Sequence, residues 1–208
     1  MTTEKTYSSS MTSDQVKAMV EQRVQKAMND AASKAELERA EPEGWWDLWA
    51  LGPIQVTGLG GPLLPHSVIK VGESFYVATV LWINPNFIFP GGVSACQLIS
   101  NLACDFQLEY CTADMCRVVR SGQFSRGPVK VGIVPNQCYY IDVQRFEAVA
   151  GNESCIYEMN ICGRITGCAQ GAAPPLAGHA TAVFDFDSDL FLGKPPQWRE
   201  TPLRFQVY

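Results

Sequence analysis

A sharp change in composition divides the chain into two parts that must fold differently. From Ser13 to Ala40 there is no Gly or Pro, and the good helix formers Ala, Lys, Glu, Gln and Met dominate. From Gly52 onward, Gly, Pro and Asn separate short apolar or alternating runs, which is the pattern of an all-β domain. The sequence therefore predicts one N-terminal α-helix followed by a two-sheet β-sandwich or jelly roll.

The predicted organisation has three parts. We expect residues 1–12 to form a disordered tail, because they are polar and rich in Ser and Thr. Residues 13–43 form the helix and a linker, which ends where Pro42 and Gly44 break helical geometry. Residues 44–208 form the sandwich. The 208 residues suit one domain with an appendage.

The predicted helix has a narrow apolar stripe and Ser13 as its N-cap. The stripe residues recur at spacings of three and four: Val16, Met19, Val20, Val24, Ala27, Met28 and Ala31. A helix this modest is not stable alone in water, so it must pack against its own domain or against the same helix of another copy.

Residues 48–104 are almost free of charge. Only Lys70 and Glu73 are charged in this stretch, whereas a solvated face of that length needs many charges. One interpretation is that the segment forms the buried sheet, with Ser74–Ile83 as a central strand. The other is that the loop residues Phe87, Ile88 and Phe89 form an apolar patch facing a partner subunit or lipid.

Three of the five tryptophans lie at the junction between the helix and the sandwich. Trp45, Trp46 and Trp49 follow directly after the linker. They are interpreted either as a plug that closes one end of the sandwich or as an aromatic platform for a ligand or partner.

The entry to the long apolar strand resembles that of immunoglobulin-like adhesive modules. In residues 68–73 a Val, Gly and Glu precede the strand, and Asn84 follows it. The resemblance implies an immunoglobulin-like arrangement as one form of the sandwich.

All eight cysteines lie between residues 96 and 168. An even number suggests disulfides, but eight cysteines allow 105 connectivities. A predicted turn at Thr112–Asp114 places Cys111 opposite Cys116 across a hairpin, so this pair is the first disulfide candidate. A second predicted hairpin, between residues 137–148 and 155–165, turns Cys138 and Cys162 toward solvent and Cys155 toward the core.

Signatures of catalysis, metals and cofactors are missing. There is no Cys-x-x-Cys, phosphate loop, nucleophile elbow or His-Glu-x-x-His motif. The two histidines, His66 and His179, are far apart in sequence, so a mixed Cys/His zinc site could assemble only through folding. Several cysteines could serve as a nucleophile beside His179, but nothing in the sequence selects one. The prediction is no enzyme, no cofactor and no metal site.

Charge and hydropathy narrow the partners and the compartment. The net charge of −5 and the absence of a basic cluster argue against nucleic acid. No apolar run is long enough to span a membrane. The lack of a signal-peptide pattern at the start favours the cytoplasm, although eight cysteines leave an extracellular location open.

These features predict a non-enzymatic structural or assembly protein that forms homo-oligomers through its helix and an apolar sheet surface. Two alternatives stay open. One is a binding module that holds an apolar small molecule or lipid near the tryptophans and the Phe87 loop. The other is a thiol protein that responds to redox conditions.

Overall fold

The computed structural model describes residues 11–38, 44–55, 65–102, 104–135, 137–149, 154–166, 177–183 and 202–208, with the side chains of residues 30–38 outside this description. The described chain is mostly β-structure with one long N-terminal helix, which confirms the predicted fold class.

Two helices and thirteen strands are described. The helices are α1 (Ser13–Glu38) and α2 (Ala95–Asn101). The strands are β1 (Trp46–Ile54), β2 (Val68–Ile69), β3 (Ser74–Ile83), β4 (Ile88–Phe89), β5 (Val93–Ser94), β6 (Asp105–Asp114), β7 (Val119–Arg120), β8 (Arg126–Gly132), β9 (Tyr139–Glu147), β10 (Cys155–Thr166), β11 (Ala177–His179), β12 (Thr181–Val183) and β13 (Leu203–Val207). The short helix α2 was not predicted.

Two sheets pack face to face. Sheet A has the strand order β12-β1-β3-β9, and sheet B has the order β2-β13-β10-β6-β7, with β8 also on β6 and β11 also on β10. Strands β4 and β5 form a small separate hairpin. The main core lies between the two sheets and includes Phe75, Phe124, Phe146 and Phe205, whose rings contact one another. The inner faces of both sheets are therefore buried, as expected for a sandwich.

Helix α1 forms a third layer on the outer face of sheet A. Its stripe residues Val16, Val20 and Val24 are fully buried and pack with Trp49 and Val80 of the sheet. The helix thus packs against its own domain, which is one of the two arrangements that the sequence predicted.

The helix begins at Ser13, its predicted cap residue, so the cap lies one residue earlier than predicted. The Gln15 amide donates to the Thr12 hydroxyl at 3.3 Å, and the Thr12 amide donates to the Gln15 side chain at 2.8 Å. This reciprocal pair is a capping box with Thr12 at the N-cap, so Ser13 is the first helical residue.

The charge-poor segment forms the middle of this three-layer structure. Strand β3 is buried along nearly its whole length, as predicted for a central strand. In β1, Leu48 and Ala50 point toward sheet B, whereas Trp49 and Leu51 point toward α1. Both faces of sheet A are covered where β1 and β3 lie, and this explains why β3 and the part of β1 from Leu48 onward lack charged residues.

Two predicted turns are wrong. Strand β6 continues through Thr112 to Asp114, because the Thr112 side chain is buried and donates to the Phe124 carbonyl at 2.9 Å. The turn follows it, where Asp114 accepts from the amides of Cys116 and Arg117, each at 3.0 Å. The second predicted hairpin does not form, since β9 pairs with β3 in sheet A and β10 pairs with β6 in sheet B.

A buried tyrosine links the two sheets through hydrogen bonds. The Tyr110 hydroxyl, on β6, donates to the Asp142 carboxylate at 2.6 Å and lies 2.9 Å from the Thr79 hydroxyl. Tyr110 is fully buried, and its pKa is raised by burial and by the nearby Asp142 charge. The hydroxyl therefore stays protonated and remains a donor between the sheets.

Replacing Tyr110 by Phe should destabilise the protein by about 1–3 kcal/mol, because Asp142 and Thr79 lose a buried partner. Equilibrium unfolding in urea measures this change. Tyr139→Phe is the matched control, since the Tyr139 hydroxyl makes an exposed hydrogen bond to Gln25 on α1. Equal losses in the two variants would contradict a special role for the buried network.

Candidate functional site

The predicted aromatic surface is divided by the fold. Trp45, Trp46, Phe87 and Phe89 are partly buried and form a cluster at one end of the sandwich. Ring centroids lie 5.5 Å apart for Trp45 and Phe89 and 5.1 Å apart for Phe87 and Phe89. These four residues pack on the main core, in the position expected of a plug.

The other two residues of that predicted surface lie elsewhere. Trp49 is buried beneath α1, where it stacks on Trp82 with a centroid distance of 5.7 Å. Ile88, in the β4–β5 hairpin, is 63% exposed. Of the six residues of the predicted surface, only Ile88 therefore has a largely exposed apolar side chain.

The disulfide prediction for Cys111 and Cys116 is wrong. Cys116 pairs with Cys155 with a Cα–Cα distance of 5.8 Å, and Cys111 is reduced. The reason is the extended β6, which carries Cys111 outward on the sheet and leaves Cys116 in the turn beside the start of β10. A second disulfide joins Cys96 of α2 to Cys138 with a Cα–Cα distance of 5.4 Å.

Exposed apolar side chains gather at one end of sheet B. We call this set the apolar end; it consists of Val68, Met115, Val118, Val119, Ile156 and Tyr208, all between 46% and 83% exposed. Strand register and backbone hydrogen bonds bring them together, since Met115 donates to Ile156, and both Ile156 and Val68 lie opposite Gln206. Cys116, in the turn between Met115 and Val118, is exposed and is joined to the buried Cys155 at the start of β10.

Val118 combines the highest exposure of the set with an unfavourable backbone conformation. It is 83% exposed and has a φ of 56°. A β-branched residue is costly in this region, which favours Gly or Asn. Stability alone does not account for an exposed Val at this position, so the position is a candidate for function.

Ile88 and the apolar end lie at opposite ends of the molecule. The β4–β5 hairpin follows the last residue of β3, whereas Phe75 near its first residue contacts Phe205 and Phe124 beside the apolar end. Ten residues of β3 at about 3.3 Å each separate the two ends by about 30 Å. They are independent surfaces.

A second candidate site combines a thiol and an imidazole on the outer face of sheet B. The Cys162 Sγ atom lies 3.3 Å from the His179 Nδ1 atom. On the neighbouring strand, the Cys111 Sγ atom lies 3.7 Å from the Glu109 carboxylate. The strand register places Cys162 directly between His179 on one side and Glu109 on the other. We call these four residues the thiol–imidazole site.

The local fold fixes this arrangement. Alternation along β6 and β10 turns residues 109, 111 and 162 outward, as the sequence predicted for Cys162. Strand β11 approaches closely because Gly178 has no side chain, and a Cβ atom there would lie 2.7 Å from the Trp46 ring. The predicted aromatic plug therefore helps to hold His179 beside Cys162.

Electrostatics keep both thiols protonated. The pKa of Cys162 is raised by burial, then by Cys111 and Glu109, with Arg164 opposing them. The pKa of Cys111 is raised by burial and Glu109, with Arg120 opposing them. Since the thiolate is the nucleophile, this environment disfavours nucleophilic catalysis.

Among the residues that the structure describes, one group of three possible ligand side chains has its donor atoms within 4.8 Å of one another. Asp114, Cys116 and Cys155 are neighbours. The two sulfur atoms are joined in a disulfide and are not thiolate ligands.

Comparisons with known proteins give little guidance. No protein-family profile and no curated protein sequence matches the chain. Among solved structures it is similar to a β-glucosidase from Listeria innocua in complex with gluconolactone, at 11% identity and a TM-score of 0.32 over 66% of this chain and 16% of that one. It is also similar to the apo-form Calx CBD1 domain, at 15% identity and a TM-score of 0.22 over 56% and 93% of the two chains.

A third likeness is to a family 123 glycoside hydrolase from Clostridium perfringens, at 9% identity and a TM-score of 0.26 over 68% of this chain and 28% of that one. The chain thus spans well under two thirds of both hydrolases. With TM-scores this low, these likenesses carry no argument about activity.

Proposed function

We propose that the protein is a non-enzymatic structural protein that associates with copies of itself through the apolar end. The sequence assigned this association to the helix and an apolar sheet surface. In the folded chain Val16, Val20, Val24 and Ala27 of α1 are buried against sheet A, Met19 and Met28 are partly buried there, and sheet A is covered on both faces. We therefore assign the contact between copies to apolar side chains that the fold leaves exposed.

The observation that carries the proposal is the concentration of exposed apolar side chains at the apolar end. Groups of exposed apolar side chains at one end of a domain are typical of protein–protein contacts. The Cys116–Cys155 disulfide ties the turn of Met115 and Val118 to the start of β10. A preorganised surface loses little conformational entropy when it binds.

A symmetric dimer is the simplest assembly that such a surface supports. In a two-fold interface the same patch of both copies is buried, so one apolar end is sufficient. The proposal is accordingly a reversible dimer in which the apolar ends of two copies meet.

The double variant Val118→Asn/Ile156→Thr tests this surface. It removes apolar contacts, while Asn suits the positive φ at position 118 and Thr keeps strand propensity at position 156. We expect a fold at least as stable as that of the wild type and a dimer dissociation constant raised at least tenfold, about 1.4 kcal/mol. Sedimentation velocity over a concentration series measures both species.

The matched control makes the same two changes at the other end of the molecule. Val134→Asn/Ile88→Thr alters residues of 52% and 63% exposure and should leave the dissociation constant unchanged. If the control weakens the dimer and the first variant does not, the sequence-predicted surface around Ile88 is the interface and the apolar end is not.

The redox alternative has less support from the site. Cys111 and Cys162 lie on the same face but diagonally, since Cys111 is opposite Asn160 and Cys162 is opposite Glu109. Diagonal positions are too far apart for a disulfide without movement of the strands. Both raised pKa values also slow oxidation, which follows the thiolate.

The disulfides of the described residues bear on the compartment. Disulfides persist in oxidising environments and are rare in the cytosol. The Cys96–Cys138 and Cys116–Cys155 pairs therefore favour an oxidising compartment over the cytoplasm predicted from the sequence. Among the described residues, no helix is long and apolar enough to cross a membrane.

A further inference from the structure

We infer that the Cys116–Cys155 disulfide is a redox switch for the apolar end: a dithiol reductant opens the disulfide, and opening it weakens the association of two copies. The inference rests on the proposed function, because it names a regulation of the same surface. It does not involve Cys111 or Cys162, which are already reduced in the structure.

Exposure selects this disulfide for reduction. Thiol–disulfide exchange begins when a thiolate attacks one of the two sulfur atoms, so that atom must be accessible. Cys116 is exposed in the turn between β6 and β7, whereas its partner Cys155 is 5% exposed. In the other disulfide, Cys96 is 5% exposed and Cys138 is half-buried. Of these two disulfides, Cys116–Cys155 is therefore the one that a reductant reaches first.

The reaction exchanges the two thiols of the reductant for two thiols of the protein. A thiolate of the dithiol attacks the Cys116 Sγ atom, the bond to Cys155 breaks, and Cys155 leaves as a thiolate that takes up a proton. The second thiol of the reductant loses its proton and attacks its own sulfur in the mixed disulfide, which releases Cys116 as a thiolate that is then protonated. The reductant loses two electrons and becomes a cyclic disulfide, and the protein disulfide gains them and becomes two thiols.

The structure offers the buried product of this reaction a hydrogen-bond partner. The Cys155 Sγ atom lies 2.9 Å from an Asp114 carboxylate oxygen and 3.3 Å from the Ile156 carbonyl oxygen. A reduced Cys155 is a thiol and can donate its hydrogen to either acceptor. Reduction therefore does not leave the buried thiol without a partner, and the sandwich itself should stay folded.

Reduction should instead act on the turn formed by residues 115–118. The amides of Cys116 and Arg117 donate to the Asp114 carboxylate, each at 3.0 Å, so these bonds shape the turn but do not attach it to β10. The disulfide makes that attachment from the middle of the turn. Val118 has a φ of 56°, a conformation that persists in a β-branched residue when the surrounding structure holds it. Without the disulfide, Val118 can return to a favourable conformation.

Movement of this turn changes the apolar end directly. Met115 and Val118 lie in the turn and Val119 follows it, whereas Ile156 lies on β10. In the oxidised protein the disulfide holds these two groups of exposed side chains side by side. In the reduced protein the turn must become ordered when two copies meet, and this loss of conformational entropy weakens the association.

Sedimentation velocity of the full-length protein with and without dithiothreitol tests the inference. We expect the reductant to raise the dimer dissociation constant of the wild type at least about tenfold, and reoxidation in air to restore it. Cys116→Ser/Cys155→Ser should have the weaker constant under both conditions. Cys96→Ser/Cys138→Ser is the matched control, because it removes the other disulfide, and it should respond to dithiothreitol as the wild type does.

Graded reduction of the wild type, followed by alkylation and mass spectrometry, gives a second readout that needs no variant. Cys116 and Cys155 should be alkylated at a lower dithiothreitol concentration than Cys96 and Cys138. Circular dichroism should show that the protein remains folded when Cys116 and Cys155 are alkylated. Earlier opening of Cys96–Cys138, or unfolding on reduction of Cys116–Cys155, overturns the inference.

The outcomes separate the switch from the proposed function. A dimer with the same dissociation constant before and after full reduction of Cys116–Cys155 overturns the switch and leaves the self-association in place. A protein that is monomeric both with and without dithiothreitol contradicts the self-association, and the switch fails with it.

Discussion

Replacing both Cys116 and Cys155 by Ser should lower the free energy of unfolding by about 4 kcal/mol. The disulfide closes a loop with a sequence separation of 39 residues, and loop-closure entropy of the unfolded chain gives this magnitude. The loss is a large part of the stability of an ordinary domain, about 5–15 kcal/mol. Urea unfolding without reductant measures it.

The matched control replaces the two reduced cysteines. Cys111→Ser/Cys162→Ser removes the same number of thiols without breaking a disulfide, and the change in stability should be below about 1 kcal/mol. Similar losses in the two variants would instead support the Cys111–Cys116 pairing that the sequence suggested, because each variant removes one cysteine of that pair.

Val20→Asp should destabilise the protein by about 3 kcal/mol or more and detach α1 from sheet A. Val20 is fully buried in the contact between the helix and the sheet, and an unpaired carboxylate is strongly disfavoured there. Trp49 and Trp82 lie in or beside this contact. Detachment should therefore shift tryptophan emission to longer wavelength and increase binding of an apolar dye, both measurable by fluorescence.

Gln22→Asp is the control for this prediction, because Gln22 is exposed on the same helix. Its stability and tryptophan emission should match those of the wild type. A Val20→Asp variant with wild-type stability would show that the helix does not cover the sheet, and would return the helix to the set of candidate oligomer contacts.

Local patterns were sufficient for the parts of the fold with strong periodicity. The Gly- and Pro-free run predicted α1, and the continuous apolar run predicted β3 as a central strand. Pairing between distant strands was harder to predict, because alternation in β9 and β10 is the same whether they pair with each other or with other strands. The predicted turn at Thr112 was wrong for a related reason, since the Thr112 side chain makes a tertiary hydrogen bond to the Phe124 carbonyl.

For the candidate sites, too, local orientation could be predicted from the sequence but contacts between distant segments could not. Alternation correctly turned Cys162 outward, but its contact with His179 depends on β11 pairing with β10 across a gap of 17 residues. No ligand spacing along the chain signals such a site. The apolar end was missed because its members come from four separate segments of the chain, whereas the aromatic residues chosen from the sequence are close together along the chain and mostly pack in the core.

Sedimentation velocity of the wild-type protein without reductant, over a wide concentration series, tests self-association most directly. We predict a weight-average mass that rises with concentration from 22.9 kDa toward twice that value. Dilution should reverse the rise, and Val118→Asn/Ile156→Thr should move it to higher concentration. A mass that stays at one chain up to about 1 mM would mean a dimer too weak to matter, and would contradict the proposed function.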